Sequence, residues 1–173
     1  TEALYLLGED WRIVGISGFT VRPPRARREK PRVSAFTSAK IDRIVALEPD
    51  LVLGFSDLQA DIASALIRRG VEVHVFNQRS VADILRMLRT LGGMIGCEAK
   101  TAALVSSLED GLGGIRAAAA QLDRRPRVYF EEWDEPQISA IRWVSELIGI
   151  AGGVDVFPEL AVEPLGKGRI IAD

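Results

Sequence analysis

Between residues 11 and 95, short apolar runs rich in β-branched residues alternate with amphipathic segments, and no other feature restricts the fold as much. WRIVGIS (11–17), LVLGF (51–55) and VEVHVF (71–76) read as strands. SAKIDRIVALEP (38–49) reads as a helix, with Ser38 as its cap, Ile41, Ile44, Val45 and Leu47 as its apolar face, and Pro49 as its stop. DLQADIASALIRRG (57–70) is a second helix, capped by Asp57 and closed by a left-handed Gly70. SVADILRMLRTLGG (80–93) opens with the capping-box pair Ser80 and Asp83. Strands separated by helices and short connections form parallel sheets covered on both faces. The first 95 residues therefore read as an α/β lobe. Ligands of such sheets bind beyond the carboxyl ends of the strands. That singles out Ser17–Gly18–Phe19, Phe36, Phe55–Ser56 and Asn77–Gln78.

The pattern changes after residue 96. Leu104, Leu108, Leu112, Ile115, Ala119 and Leu122 recur every three or four positions and define one long helix over 98–123. Its expected length is roughly 39 Å at 1.5 Å per residue, and Gly111, Gly113 and Gly114 are the places where it would bend or break. RVYFEEW (127–133) then reads as a strand, QISAIRWVSELIG (137–149) as a helix, and 152 onward as turns and short strands to residue 173. The organisation expected is an α/β lobe over 1–95, a joining helix over 96–124, and a partial α/β lobe over 125–173. Its fold class is α/β: two parallel-sheet lobes linked by one long helix, with the second lobe incomplete.

Charge and composition remove several functions. The formal net charge of −2 gives no general attraction to nucleic acid. No apolar run reaches the roughly 18–20 residues of a membrane span. One cysteine, Cys97, permits no internal disulfide, and one histidine, His74, lies in a strand. A transition-metal site usually needs several such residues. The arginine-rich stretch 21–36 lacks interleaved aromatics and reads as an extended surface loop between Arg22 and Phe36. Nucleophile-elbow and phosphate-loop motifs are absent from the sequence. No catalytic residue, cofactor or metal ligand is assigned.

The stretch FEEWDEP (130–136) carries four acids around Trp133. Its spacing does not match a calcium loop. Neighbouring strand residues face opposite sides, so Glu131 and Glu132 cannot serve one substrate as a pair. The stretch reads as a turn at the ligand edge of the second lobe, presenting Glu132, Trp133 and Asp134 to a ligand, or as a solvated turn whose acids cap the next helix.

The sequence 15–55 resembles the first lobe of the cobalamin and ferric-siderophore family of ABC-importer substrate-binding proteins. The resemblance rests on RPP at 22–24, VSAF at 33–36 and IDRIVALEPDLVLGF at 41–55. The helix at 98–123 is similar to the rigid helix that joins the two lobes in that family. YFEEWDEP followed by Gly152–Gly153 is similar to the opening of its second lobe. The resemblance implies a binding protein, not an enzyme. It implies a corrinoid, or else an iron–siderophore, held between two lobes and delivered to a membrane permease. Phe36 stands where cobalamin-binding members place a pocket tryptophan. Arg22 stands where a pocket tyrosine is common, which argues against haem. Asp42 stands where the family has a glutamate that docks on permease arginines. Phe55 and Ser56, from their place at a strand end, and Glu132, Trp133 and Asp134, from the acidic loop, complete the expected ligand contacts. A periplasmic or extracytoplasmic location, with a lipid anchor as one form, is implied as well. The family's first strand would precede Thr1 and its second lobe would continue past Asp173, so the chain reads as a fragment or a natural truncation. The competing reading is a soluble α/β enzyme or sensor domain that uses the acids of 131–135.

Overall fold

The computed structural model describes residues 1–171. The final two residues of the expected tail, 172 and 173, lie outside the described residues. The chain divides into two compact units, one over Thr1–Gln78 and one from Arg79 onward.

In the first unit, α1 (Glu2–Leu6) and a 3-10 turn at Asp10–Arg12 precede β1 (Ile16–Ser17). α2 (Ala26–Glu29), β2 (Arg32–Ser34), α3 (Ile41–Val45) and β3 (Val52–Phe55) follow. α4 (Ala60–Ile67) and β4 (Val73–Phe76) complete it. β1 pairs with β2 and β3 with β4, both in parallel, as the alternation of strands and helices requires. They form two separate ladders rather than one continuous sheet. An apolar cavity of about 280 Å³ is lined by residues from both, including Ile13, Ile16, Val52, Leu66 and Val73. The buried nucleus beside it is Ile13, Ile16 and Ala26, with Leu4 and Tyr5 packed on it.

Three local expectations change. The strand expected over 11–17 shrinks to two residues, because Asp10–Arg12 closes a 3-10 turn that Ile13 terminates. The helix expected from Ser38 begins at Ile41 with Lys40 at the cap. The Ser38 carbonyl instead accepts from Ala35 N–H, and Ala39 bridges Ser34, so a tight turn consumes those residues. Asp57 does not cap the next helix. Ser56 instead caps a 3-10 turn, Asp57–Gln59, that leads into α4, its hydroxyl accepting from Leu58 N–H. Gly70 is left-handed, with φ of 77°, and stops α4 as its lack of a Cβ allows.

The second unit contains α5 (Val81–Met94), α6 (Glu98–Ala119), β5 (Arg127–Val128), α7 (Arg142–Ile150) and β6 (Val154–Asp155). β5 and β6 pair in parallel. The capping box forms as read: Ser80 Oγ accepts from Asp83 N–H, and Asp83 Oδ2 accepts from Ser80 N–H. α6 runs unbroken through its three glycines for 22 residues, roughly 33 Å at 1.5 Å per residue. The lobe expected over 1–95 ends at Gln78, and α5 belongs with the second unit. Gly92 of α5 lies so close to Thr101 of α6 that a Cβ would sit 2.3 Å from its hydroxyl oxygen, and Val81 N–H donates to Glu146 of α7 at 2.7 Å. The second lobe is shorter in strand than expected. β5 ends at Val128, and α7 starts five residues after Gln137, because Ile138 is drawn into bridges with Trp133 and Ile170.

Candidate functional site

The candidate edge of the first unit is built where β1, β2 and β3 end. Phe19, Phe36 and Phe55 follow or finish these strands and meet as an aromatic cluster. The Phe36 and Phe55 rings are 5.2 Å apart and tilted, and Phe19 meets Phe36 edge-on at 6.2 Å. Phe36 is 45% exposed and Phe19 65%. Apolar rings left this open to solvent carry a cost that covering them can relieve.

Two residues hold this edge. Gln59 reaches back from the turn after β3, its side-chain carbonyl accepting from Phe55 N–H at 3.0 Å. Its amide nitrogen donates to the Phe36 carbonyl, also at 3.0 Å. Ser56 is buried and has φ of 52°, a value uncommon outside glycine. Its hydroxyl is engaged with Leu58 N–H. Ser56 therefore shapes the edge from beneath. Arg22 is exposed on the loop after β1, 3.9 Å from Glu2, and the peptide bond to Pro23 is cis. The apolar cavity below the edge, about 280 Å³, is at the lower end of the roughly 300–1,000 Å³ of ordinary ligand pockets.

The edge of the second unit has a different construction. Glu132 Oε2 accepts from Arg169 Nη2 at 2.5 Å. That guanidinium is 1% exposed and donates further to the carbonyls of Glu163 at 3.0 Å and Ser139 at 3.3 Å. Glu131 takes a different partner, the Tyr129 hydroxyl, which donates at 3.1 Å. Burial, reinforced by the Glu131 carboxylate, raises the Tyr129 pKa above the usual phenol value. The two glutamates thus serve separate partners. Trp133 is 60% exposed, and its indole N–H donates to the Glu135 carbonyl at 3.0 Å. Asp134 Oδ1 accepts from Glu135 N–H. FEEWDEP is a closed loop, not a turn leading directly into a helix: Glu132 N–H donates to Ile138 C=O, and Ile138 N–H to Trp133 C=O. Of the residues expected here, Trp133 and Asp134 face outward and Glu132 is committed to Arg169.

Asp42 lies in the first turn of α3. Its carboxylate is 89% exposed and accepts from Arg69 at 2.7 Å. Among the described residues no group of three or more His, Cys, Asp or Glu side chains is placed to hold a metal ion. No described helix is long and apolar enough to cross a membrane.

Sequence reasoning missed Gln59 and Arg169. A glutamine in the turn after a strand gives no signal of its own, and Arg169 lies 37 positions from Glu132. Phe19 was flagged only by its place after β1.

The parallel ladders agree with what a comparison of the whole sequence finds. The profile of the periplasmic binding protein family matches residues 1–173. The chain belongs to that family. A cobalamin-binding protein of Halobacterium salinarum is 26% identical over 175 residues, covering 99% of this chain and 44% of that protein. The crystal structure of the periplasmic vitamin B12 binding protein BtuF of Vibrio cholerae superimposes with a TM-score of 0.77 at 21% identity, covering 96% of this chain and 64% of that one. A possible iron-binding, periplasmic solute-binding protein of Staphylococcus epidermidis gives 0.78 at 19% identity, covering 92% and 64%. These likenesses show the periplasmic-binding-protein fold. The chain spans about half the length of the curated relatives it matches. The family is one of periplasmic binding proteins.

Proposed function

We propose that this chain is part of the substrate-binding component of an ABC importer, and that its cargo is a corrinoid or, second, an iron chelate. The observation that carries the reading is the open cluster of Phe19, Phe36 and Phe55 at the strand ends. Two exposed rings, Phe19 and Phe36, backed by the half-buried Phe55, offer an apolar surface with little conformational entropy to lose on binding. A broad organic cargo suits that surface better than a small ion does. The relatives' names point the same way, since they include cobalamin-binding and iron-binding proteins. Trp133 and Asp134 are further proposed cargo contacts, joined by Arg22 for polarity. Glu132 contributes through its pairing with Arg169.

Delivery follows the same reading. Asp42 is an exposed carboxylate on a helix with a single short ion pair, and a permease arginine can compete for it at little cost, since exposed pairs contribute only about 0–1 kcal/mol. An extracytoplasmic location, with or without a lipid anchor, goes with this role.

The test is isothermal titration with cobalamin, with a ferric siderophore in parallel. Saturable binding of one cargo at unit stoichiometry is expected. Absence of saturation with both would overturn the cargo assignment.

A further inference from the structure

We infer that Gln59 is the positioning residue of the aromatic edge: its single amide fixes Phe36 against Phe55 and so sets the surface on which cargo rests. The inference builds on the cargo reading above, but its structural half stands without it.

The backbone explains why such a residue is needed. Along β3, Val52 N–H donates to Glu72 and Ser56 N–H to Phe76, both across to β4. Alternate residues of a strand turn their N–H groups the other way, so Phe55 N–H points away from β4. No ladder strand receives it there, and Gln59 Oε1 does, at 3.0 Å. The same side chain then spends its N–H on the carbonyl of Phe36, 23 positions away. The two backbones are thereby tied through one planar group while their rings touch at 5.2 Å.

The local chain is shaped to deliver this glutamine. Ser56, at φ 52° and ψ 168°, turns the chain off β3. Its carbonyl accepts from Gln59 N–H at 3.3 Å and its hydroxyl from Leu58 N–H at 3.2 Å, folding Asp57–Gln59 into a 3-10 turn. Gly54 keeps the space clear, since a Cβ there would lie 3.1 Å from Gln59 Oε1. A primary amide is the side-chain group of this length that both accepts and donates in its neutral form. An ionised glutamate can only accept, and leucine can do neither.

Two variants separate the two bonds. In Gln59→Glu the Phe55 bond survives and the Phe36 bond is lost. In Gln59→Leu both are lost. Phe55 amide exchange should stay slow in wild type and Gln59→Glu and become fast in Gln59→Leu. Nuclear Overhauser contacts between the Phe36 and Phe55 rings should be present in wild type and lost in both variants. Cobalamin affinity should fall at least tenfold in both variants while the melting temperature of Gln59→Glu stays near that of wild type. Ring contacts that persist in both variants would overturn the inference. Unchanged affinity in Gln59→Leu, with wild type binding, would overturn its functional half. If wild type does not bind cobalamin while the ring contacts behave as stated, the positioning role stands and the cargo reading alone falls.

Discussion

The two candidate edges solve opposite problems. In the first unit, apolar rings stand open and the polar backbone beneath them is satisfied by Gln59 and Ser56. In the second, acids crowd one loop and a buried arginine draws one of them inward. Burying a guanidinium is expensive unless its charge and its donors are matched. Arg169 meets that condition with one carboxylate and two carbonyls. The first edge thus leaves apolar rings open, and the second is held in shape by a buried charge pair. What looks in the sequence like the more chemical site, FEEWDEP, is the more structural one.

The sharpest break of this contrast is Glu132→Ala. It leaves Arg169 buried without its counter-charge and should destabilise the second unit by about 3–5 kcal/mol, read by urea unfolding. A cost below about 1 kcal/mol would make Glu132 a surface acid after all. Next is Gly92→Ala, where the new methyl would press on Thr101 and should cost about 1–3 kcal/mol by overpacking α5 on α6. It should leave the first edge and its cargo affinity untouched.

Ser80→Ala should cost about 1 kcal/mol through the lost cap. The same site gives a pH dependence. The Ser80 hydrogen bond, with help from the Arg79 and Ser80 backbone N–H groups and the Arg86 charge, holds the Asp83 carboxyl below its usual value. A depressed folded pKa gives stability that is present above the unfolded value of about 3.9 and lost as pH falls through the folded one. Wild type should therefore lose this contribution as pH falls below about 4, whereas Asp83→Asn, which lacks the carboxylate at every pH, should show a flatter dependence of stability on pH over the same range. The smallest effect belongs to Asp42→Asn, which should change stability by less than about 0.5 kcal/mol, as expected of an exposed pair. Loss of permease-stimulated delivery in that variant would support docking, and unchanged delivery would remove Asp42 from it.

Local signals in the sequence were read well where the structure is local. β3 and β4, the glycine stop at residue 70, the Ser80–Asp83 box and the long α6 depend on residues a few positions apart. Glycines 111, 113 and 114 did not break α6, because three propensity penalties of about 1 kcal/mol are spread over 22 residues of continuous hydrogen bonding. The failures are non-local. Residues 137–141 have helical spacing, yet Ile138 pairs with Trp133 and Ile170. Ser38 has the chemistry of a cap, yet its carbonyl closes a turn on Ala35. At the site, Phe36 and Phe55 were legible as residues after strands. Their contact, and Gln59 beneath it, depend on how β2 and β3 come together, which no local pattern encodes.

The most direct measurement is a pair of cobalamin titrations, on Phe36→Ala and on Trp133→Ala, against wild type. The account predicts a loss of at least tenfold for Phe36→Ala and a smaller loss for Trp133→Ala, with both variants as folded as wild type. Full affinity in Phe36→Ala, or a larger loss in Trp133→Ala, would contradict it and move the cargo surface to the acidic loop.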